Sequence, residues 1–235
     1  MNRIDAPTWK QRIFLPAVAL LCLGALLPAA AVAQSSPGVK WEKDILVFEA
    51  SDKVNPPPAG AILFLGASST RLWKTLAQDF PGKTVINRGF GGSQMEDAVY
   101  FADRIVIPYR PKRIVLQEGG NDIHAGKTPQ QVLEGFQAFV KKVRAALPSV
   151  TIAFMSINPS PSRWAQAEKQ QEANRLIREF VASHPGLDYI DIWDAFLGPD
   201  RKPREDLFVA DRLHNNAEGY RIRADLTRPH LEDPK

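Results

Sequence analysis

Between residues 61 and 192 the chain repeats one alternation, in which short apolar runs are separated by longer amphipathic ones. Ala61 to Leu65, Thr84 to Ile86, Arg113 to Leu116, Thr151 to Ile157 and Leu187 to Ile192 read as strands. Ser69 to Phe80, Gln94 to Val106, Pro129 to Leu147 and Ala165 to Ser183 read as helices between them, and a last helix runs from about Ala217 to Leu231. Strands that alternate with helices predict a parallel sheet covered on both faces, because a parallel crossover needs a dozen or more residues and a helix supplies them compactly. Such sheets bind ligands beyond the carboxyl ends of their strands. Every motif that follows a predicted strand therefore lies on the edge where chemistry is expected.

The segments ahead of this alternation have a different character. In "VKWEKDILVFEA", from Val39 to Ala50, Trp41, Ile45 and Phe48 recur at helical spacing, and "NPPPAG" at 55 to 60 then breaks the chain. Further upstream, Arg3, Lys10 and Arg12 precede an uncharged apolar stretch from Ile13 to Ala33, which ends in Ala31-Val32-Ala33. Basic residues, an apolar run and a small-residue terminus are the pattern of a secretory signal over residues 1–33. The alternative is an uncleaved membrane anchor, since the stretch is about long enough to cross a bilayer; Pro16, Pro28 and the A-x-A ending argue against it. Lipid attachment at Cys22 is disfavoured by the bulky Leu21 before it. The expected organisation is thus a signal at 1–33, a helix and proline-rich connector at 34–60, and one catalytic-type domain at 61–235.

Charge and cysteine usage then exclude several classes. The signal carries three Lys+Arg and one Asp, so the formal charge of +4 falls to +2 without it. That balance leaves no nucleic-acid or membrane-surface footprint. The single cysteine lies within the signal, so an exported protein would hold no disulfide and must be stabilised by its core. No His, Cys and carboxylate cluster has metal-ligand spacing, and neither a metal nor another cofactor is expected.

Four stretches fall on the predicted strand ends or the last loop: "GASS" at 66 to 69, "NRGFGG" at 87 to 92, "GGND" at 119 to 122 and "DRLH" at 211 to 214. Singly, each has an ordinary reading. Ser68 or Ser69 would cap a helix well. Gly89, Gly91 and Gly92 would permit a tight turn, and they miss the dinucleotide fingerprint because Gln94 stands where its last glycine belongs. Together the four supply the parts for acyl transfer. A serine hydroxyl needs a base within hydrogen-bond reach, and that imidazole needs a carboxylate to fix its tautomer. Oxyanion stabilisation needs preorganised donors, for which a glycine amide and an asparagine side chain are suited.

In this order the four stretches resemble the conserved blocks of the SGNH hydrolase superfamily, also called GDSL esterases and lipases. Similarity extends through "PPPAGAILFLG", "DRIVIPYRPKRIVL", "NDIHAGKTPQQVL", "NPSPSRW" and "LHNNAEGY". The resemblance implies a flavodoxin-like three-layer α/β/α fold with a five-stranded parallel sheet. It implies Ser68 as nucleophile, His214 as base and Asp211 as the group that orients it. Gly92 and Ser68 through their backbone N–H groups, and Asn121 through its side chain, would be the oxyanion donors. One departure is that Gly66-Ala67-Ser68 stands where the family has Gly-Asp-Ser, and Ser69 is the neighbour that could replace part of the lost hydrogen bonding.

The expectation is an exported esterase or acylhydrolase acting on a small-molecule ester of a short acyl or acetyl group, without nucleic-acid partners or stable membrane insertion after signal removal. The alternatives are a non-catalytic carbohydrate- or acyl-binding module on the same fold, and an acyltransferase. His124, near Asn121, and Trp164, in "NPSPSRW", are candidate substrate contacts; each also reads as an ordinary surface or packing residue. The loop "DRKPRED" at 200 to 206 reads as a solvated excursion, and Tyr220 and Ile222 as core.

Overall fold

A computed structural model describes Met1 and residues 39–232; the expected signal at 1–33 lies outside the described residues apart from Met1. Five strands, β1 (Ile62–Gly66), β2 (Val85–Gly89), β3 (Arg113–Gln117), β4 (Thr151–Met155) and β5 (Leu187–Ile190), form one sheet in the order β2-β1-β3-β4-β5. All four pairings are parallel, and β1 is central to the site because Gly66 at its end pairs with Gly89 on one side and Gln117 on the other. This strand order is the flavodoxin-like one, in which the chain runs from β1 out to β2 and then crosses back past β1 to β3, which opens a crevice between the carboxyl ends of β1 and β3.

Both faces of the sheet are buried because successive side chains alternate between them. Leu63, Leu65, Ile114, Leu116, Ile152 and Phe154 face one helical layer. That layer comprises α1 (Glu42–Val54), α4 (Met95–Ile105), α6 (Pro129–Ala146) and α7 (Ala167–Ala182), which contribute residues such as Ile45, Phe101, Phe136 and Ile177. Ile62, Phe64, Val115, Ala153 and Met155 face the other layer, where Trp73 and Phe80 meet Tyr220 and Ala224 of α8 (Ala217–Thr227). Helix starts follow local chemistry. Thr128 and Gln131 form a reciprocal capping box ahead of Pro129, and Asn216 accepts from the Gly219 N–H at 3.1 Å to cap α8.

The helix expected from Ser69 to Phe80 is instead two short helices, α2 (Ser68–Arg71) and α3 (Leu76–Asp79). Between them Trp73 turns into the core beside Phe64, Phe80 and Tyr220, and its indole Nε1 donates to Asp79 at 2.6 Å. One buried tryptophan thus outweighs helical continuity. The strand expected to reach Ile157 ends at Met155, and the helix expected from Ala165 begins at Ala167, after a 3₁₀ segment over Pro161–Gln166. A five-residue helix, α5 (Gly120–His124), follows β3.

Helix α1 is fixed to the sheet and to α4 by charge. Arg104 reaches Glu42 at 2.8 Å and Glu49 at 2.6 Å, and Asp52 accepts from both Arg88 and Tyr109. Just ahead of α1, Trp41 packs edge-on against Phe90, with ring centroids 5.9 Å apart, and so reaches the loop after β2.

Candidate active site

The loop after β1 carries Ser68 as the first residue of α2. Ala67 stands at the N-cap with φ −77° and ψ −149°, and its carbonyl accepts from the N–H groups of Thr70 and Arg71 at 3.1 and 3.0 Å. Two longer contacts hold the turn. Tyr220 donates its hydroxyl to the Ser69 carbonyl at 2.9 Å, and the Asn87 side chain donates to the Thr70 carbonyl at 2.7 Å. The Ser69 hydroxyl makes no hydrogen bond among the described residues. Support for this turn thus comes through backbone carbonyls, a different route from the Ser69 side chain anticipated above.

Asp211 and His214 sit in the loop ahead of α8. The Asp211 carboxylate folds back on its own loop, one oxygen accepting from the N–H groups of Leu213 at 2.8 Å and His214 at 2.9 Å. Its other oxygen lies 2.6 Å from His214 Nδ1, and His214 Nε2 lies 2.8 Å from Ser68 Oγ. Partial burial works against the charged carboxylate, but the N–H and ring of His214 and the N–H of Leu213 outweigh it and bring Asp211 down to about 2. An ionised Asp211 accepts a hydrogen bond from Nδ1–H, which leaves Nε2 as acceptor for the serine hydroxyl. Behind this loop Arg223, fully buried, bonds Asn215 at 3.2 Å and Gln117. Burial pulls its guanidinium down to about 10.

On the opposite side, Gly119 at φ +104° turns the chain from β3 into α5 and sets Asn121 at the crevice. Asn121 donates Nδ2 to the Ser93 carbonyl at 2.9 Å, and its Oδ1 accepts from Arg163 Nη1 at 3.0 Å. Gly92, immediately before Ser93, has φ +84°, and a Cβ there would come within 3.0 Å of the Trp41 ring. The backbone N–H groups of Gly92 and Ser68 have no acceptor among the described residues.

Beneath Asn121 lies a buried acidic cluster. Glu118 accepts from the Ser93 hydroxyl at 2.6 Å, while Asp122 accepts from the Met95 N–H at 3.1 Å and from Lys127 at 3.2 Å. Burial pushes the Glu118 carboxyl well above the usual carboxylate range, with Asp122 and Asp97 adding to it against the Ser93 bond and Lys127. Asp122 is also raised by burial, against the pull of Lys127.

A small cavity of about 60 Å³ separates the two sides, lined by Ala67, Ser68, Asn121, Ile157, Arg163 and Leu213 among others. The structure thus gathers Ser68, His214 and Asp211 into one hydrogen-bonded series, with Asn121 on the same cavity. His124 and Trp164 do not line it. His124 is exposed and bonds Gln166 at 3.1 Å, and Trp164 stacks on Trp193 with centroids 6.5 Å apart. In the 200–206 loop, Arg201 pairs with Asp194 at 3.0 Å and Arg204 with Asp206 at 2.6 Å, as solvated charges do.

Sequence reasoning missed Arg163, Glu118, Ser93 and the bond from Tyr220. The only available signals were a basic residue after Pro-Ser-Pro and a carboxylate directly ahead of Gly119-Gly120. Among the described residues no group of His, Cys, Asp and Glu is placed to hold a metal ion, and no helix is long and apolar enough to cross a membrane.

Known proteins share the sequence pattern and the fold of this chain. The sequence model of the GDSL-like Lipase/Acylhydrolase family matches residues 59–222. Platelet-activating factor acetylhydrolase IB subunit alpha1 from Homo sapiens is 27% identical over 186 residues, covering 74% of each chain. Among solved structures, a Streptococcus pneumonia protein assigned as a platelet activating factor superposes with a TM-score of 0.73 at 22% identity, covering 82% of this chain and 94% of that one. A GDSL-like lipase from Bacteroides thetaiotaomicron VPI-5482 gives 0.69 at 18% identity, covering 80% and 96%.

Proposed function

The chain belongs to the GDSL-like lipase/acylhydrolase family, and from that premise we propose that it is an exported serine esterase that cleaves carboxylic esters of short acyl groups through an acyl-enzyme. The observation that carries this reading is the unbroken series from Ser68 Oγ to His214 Nε2 at 2.8 Å and from His214 Nδ1 to Asp211 at 2.6 Å, opening on a cavity that Asn121 also faces.

In the proposed mechanism, Ser68 Oγ attacks the ester carbonyl carbon while His214 Nε2 takes its proton, and Asp211 stabilises the imidazolium that forms. Negative charge collects on the former carbonyl oxygen, which takes hydrogen bonds from the N–H groups of Ser68 and Gly92 and from Asn121 Nδ2. Collapse of the tetrahedral intermediate expels the alcohol, protonated by His214. Water then attacks the acyl-Ser68 with His214 again as base, releasing the acid and restoring the serine.

A cavity of about 60 Å³ favours a short acyl group. The human relative is named for acetyl hydrolysis, which agrees with this choice. Export rests on the basic, apolar and A-x-A pattern of residues 1–33, and the mature chain would begin near Gln34. The intact mass of the exported protein tests that point.

The test of activity is fluorophosphonate labelling of Ser68, together with turnover of p-nitrophenyl esters of increasing chain length beside acetylated sugars. Labelling lost in Ser68→Ala, with turnover that falls as the acyl chain lengthens, is the expected result. An unlabelled parent that still binds acetylated sugars would replace this reading with a binding module. Acyl groups delivered to an added alcohol faster than to water would make the protein a transferase.

A further inference from the structure

The cation in the cavity has no carboxylate partner among the described residues. Arg163 sits in the 3₁₀ segment Pro161–Gln166, at a kink where its φ is −118° and ψ is 16°. The neighbouring Ser162 N–H donates to the Arg212 carbonyl at 3.0 Å, which ties this segment to the Asp211–His214 loop. Nη1 of Arg163 donates to two oxygens, the Gly120 carbonyl at 3.2 Å and Asn121 Oδ1 at 3.0 Å. Arg163 makes no ion pair among the described residues, although Glu118 lines the same cavity. Burial pulls its guanidinium below the ordinary arginine range, as expected for a partly desolvated cation without a counter-charge.

A side-chain amide can rotate by half a turn and exchange its donor for its acceptor at little steric cost. At Asn121 the two neighbours are of opposite kind. The Ser93 carbonyl can only accept, and Arg163 Nη1 can only donate. In the observed orientation both are satisfied, and the second Nδ2 hydrogen remains free. In the flipped orientation oxygen would face oxygen and N–H would face N–H. The cation beside Oδ1 also polarises the amide, which strengthens Nδ2–H as a donor.

We propose that Arg163 is a positioning residue for the oxyanion site, locking the Asn121 amide with its nitrogen toward the reacting oxygen and strengthening that donor. The inference rests on the esterase reading above and adds a residue to it. Because the stabilised charge exists mainly in the transition state, the effect falls on kcat rather than on KM.

The experiment is a double-mutant cycle on the mature protein, read by p-nitrophenyl acetate kinetics and by the rate of fluorophosphonate labelling. Arg163→Gln should lower kcat roughly ten- to a hundredfold while KM moves by less than about threefold. Arg163→Lys, which keeps the charge and one donor, should recover part of the loss. In an Asn121→Ala background Arg163→Gln should have almost no further effect, since no amide remains to be held. An equal loss in both backgrounds, or a loss confined to KM, would overturn the inference and make Arg163 a direct substrate contact. Should Arg163→Gln fail to fold, the same cycle with Arg163→Lys decides between these outcomes. A parent unlabelled at Ser68 would sink the esterase reading and this inference with it. A labelled parent whose Arg163→Gln variant reacts at the parental rate would sink this inference alone.

Discussion

The two sides of the cavity are built on opposite principles. On the side of the proposed base, the Asp211 side chain is 48% exposed and is held by bonds that all lie within four residues of sequence. On the proposed oxyanion side, Asp122 is 1% exposed and Glu118 2%, and Asn121 is gripped from Ser93 and Arg163, far from it along the chain. The exposed side can keep its charge, because water and short-range N–H donors stabilise a carboxylate cheaply. On the buried side the charged form is disfavoured, and burial raises both carboxyl groups there. A charged orienting group thus stands at the surface, while the neutral donor is held from buried groups and from the Arg163 guanidinium.

The largest effect should come from breaking the exposed side. Ser68→Ala or His214→Ala should cost on the order of 10⁴-fold or more in kcat, and the double variant should be scarcely worse than either, because the groups act as a unit. Ser69→Ala should retain most activity, a contrast that steady-state kinetics and labelling would read together. On the buried side Asn121→Ala should lower kcat by roughly a hundred- to a thousandfold with little change in KM, since that donor meets charge present mainly in the transition state. A pure KM effect would remove the contrast between the two sides.

Smaller effects concern stability. Glu118 has a folded pKa raised above its ordinary value of 4.5, so between that value and the folded one the native state binds more protons than the unfolded chain. Its contribution to stability is fully present below about pH 4.5 and is lost as pH rises through the folded pKa. Glu118→Gln should flatten that decline in melting temperature measured from pH 5 to 9; an unchanged slope would show that Glu118 is ionised in the native state. Asp211 has the opposite sign. Its pKa falls from 3.8 to about 2, so its contribution is present above 3.8 and is lost as pH drops through about 2. Half exposed and screened by solvent, it should matter little to folding, and Asp211→Asn should melt within a few degrees of the parent at pH 7 while losing most activity.

The same contrast explains what the sequence could disclose. The five strands and their parallel order follow from the alternation of apolar runs with amphipathic ones, and Ser68, Asn121, Asp211 and His214 stand in motifs short enough to be seen as strings. Asp211 and His214 need only three residues of spacing to find each other. Glu118, Ser93 and Arg163 gather around Asn121 only after β2, β1, β3 and β4 pair side by side and bring their loops together, so no local pattern marks them. The break at Trp73 was hidden for a related reason. Helical periodicity continues through "TRLWKTLAQDF", and only the pocket formed by Phe64, Phe80 and Tyr220 makes it better for the tryptophan to leave the helix.

Trp41 lies ahead of the first strand and outside the stretch that the family match covers, yet its ring backs onto Gly92. Arg223 and Leu231, both buried, fall beyond the far end of that stretch. The borders by which the domain is recognised are therefore narrower than those of the unit that must fold. A chain trimmed to residues 59–222 would keep every motif and lose the wall behind the Gly92 loop, the Asp52 anchor and the buried cation beneath the Asp211–His214 loop. Domain swaps or grafts that respect the motif borders would move the reacting groups and leave behind part of what keeps them in place.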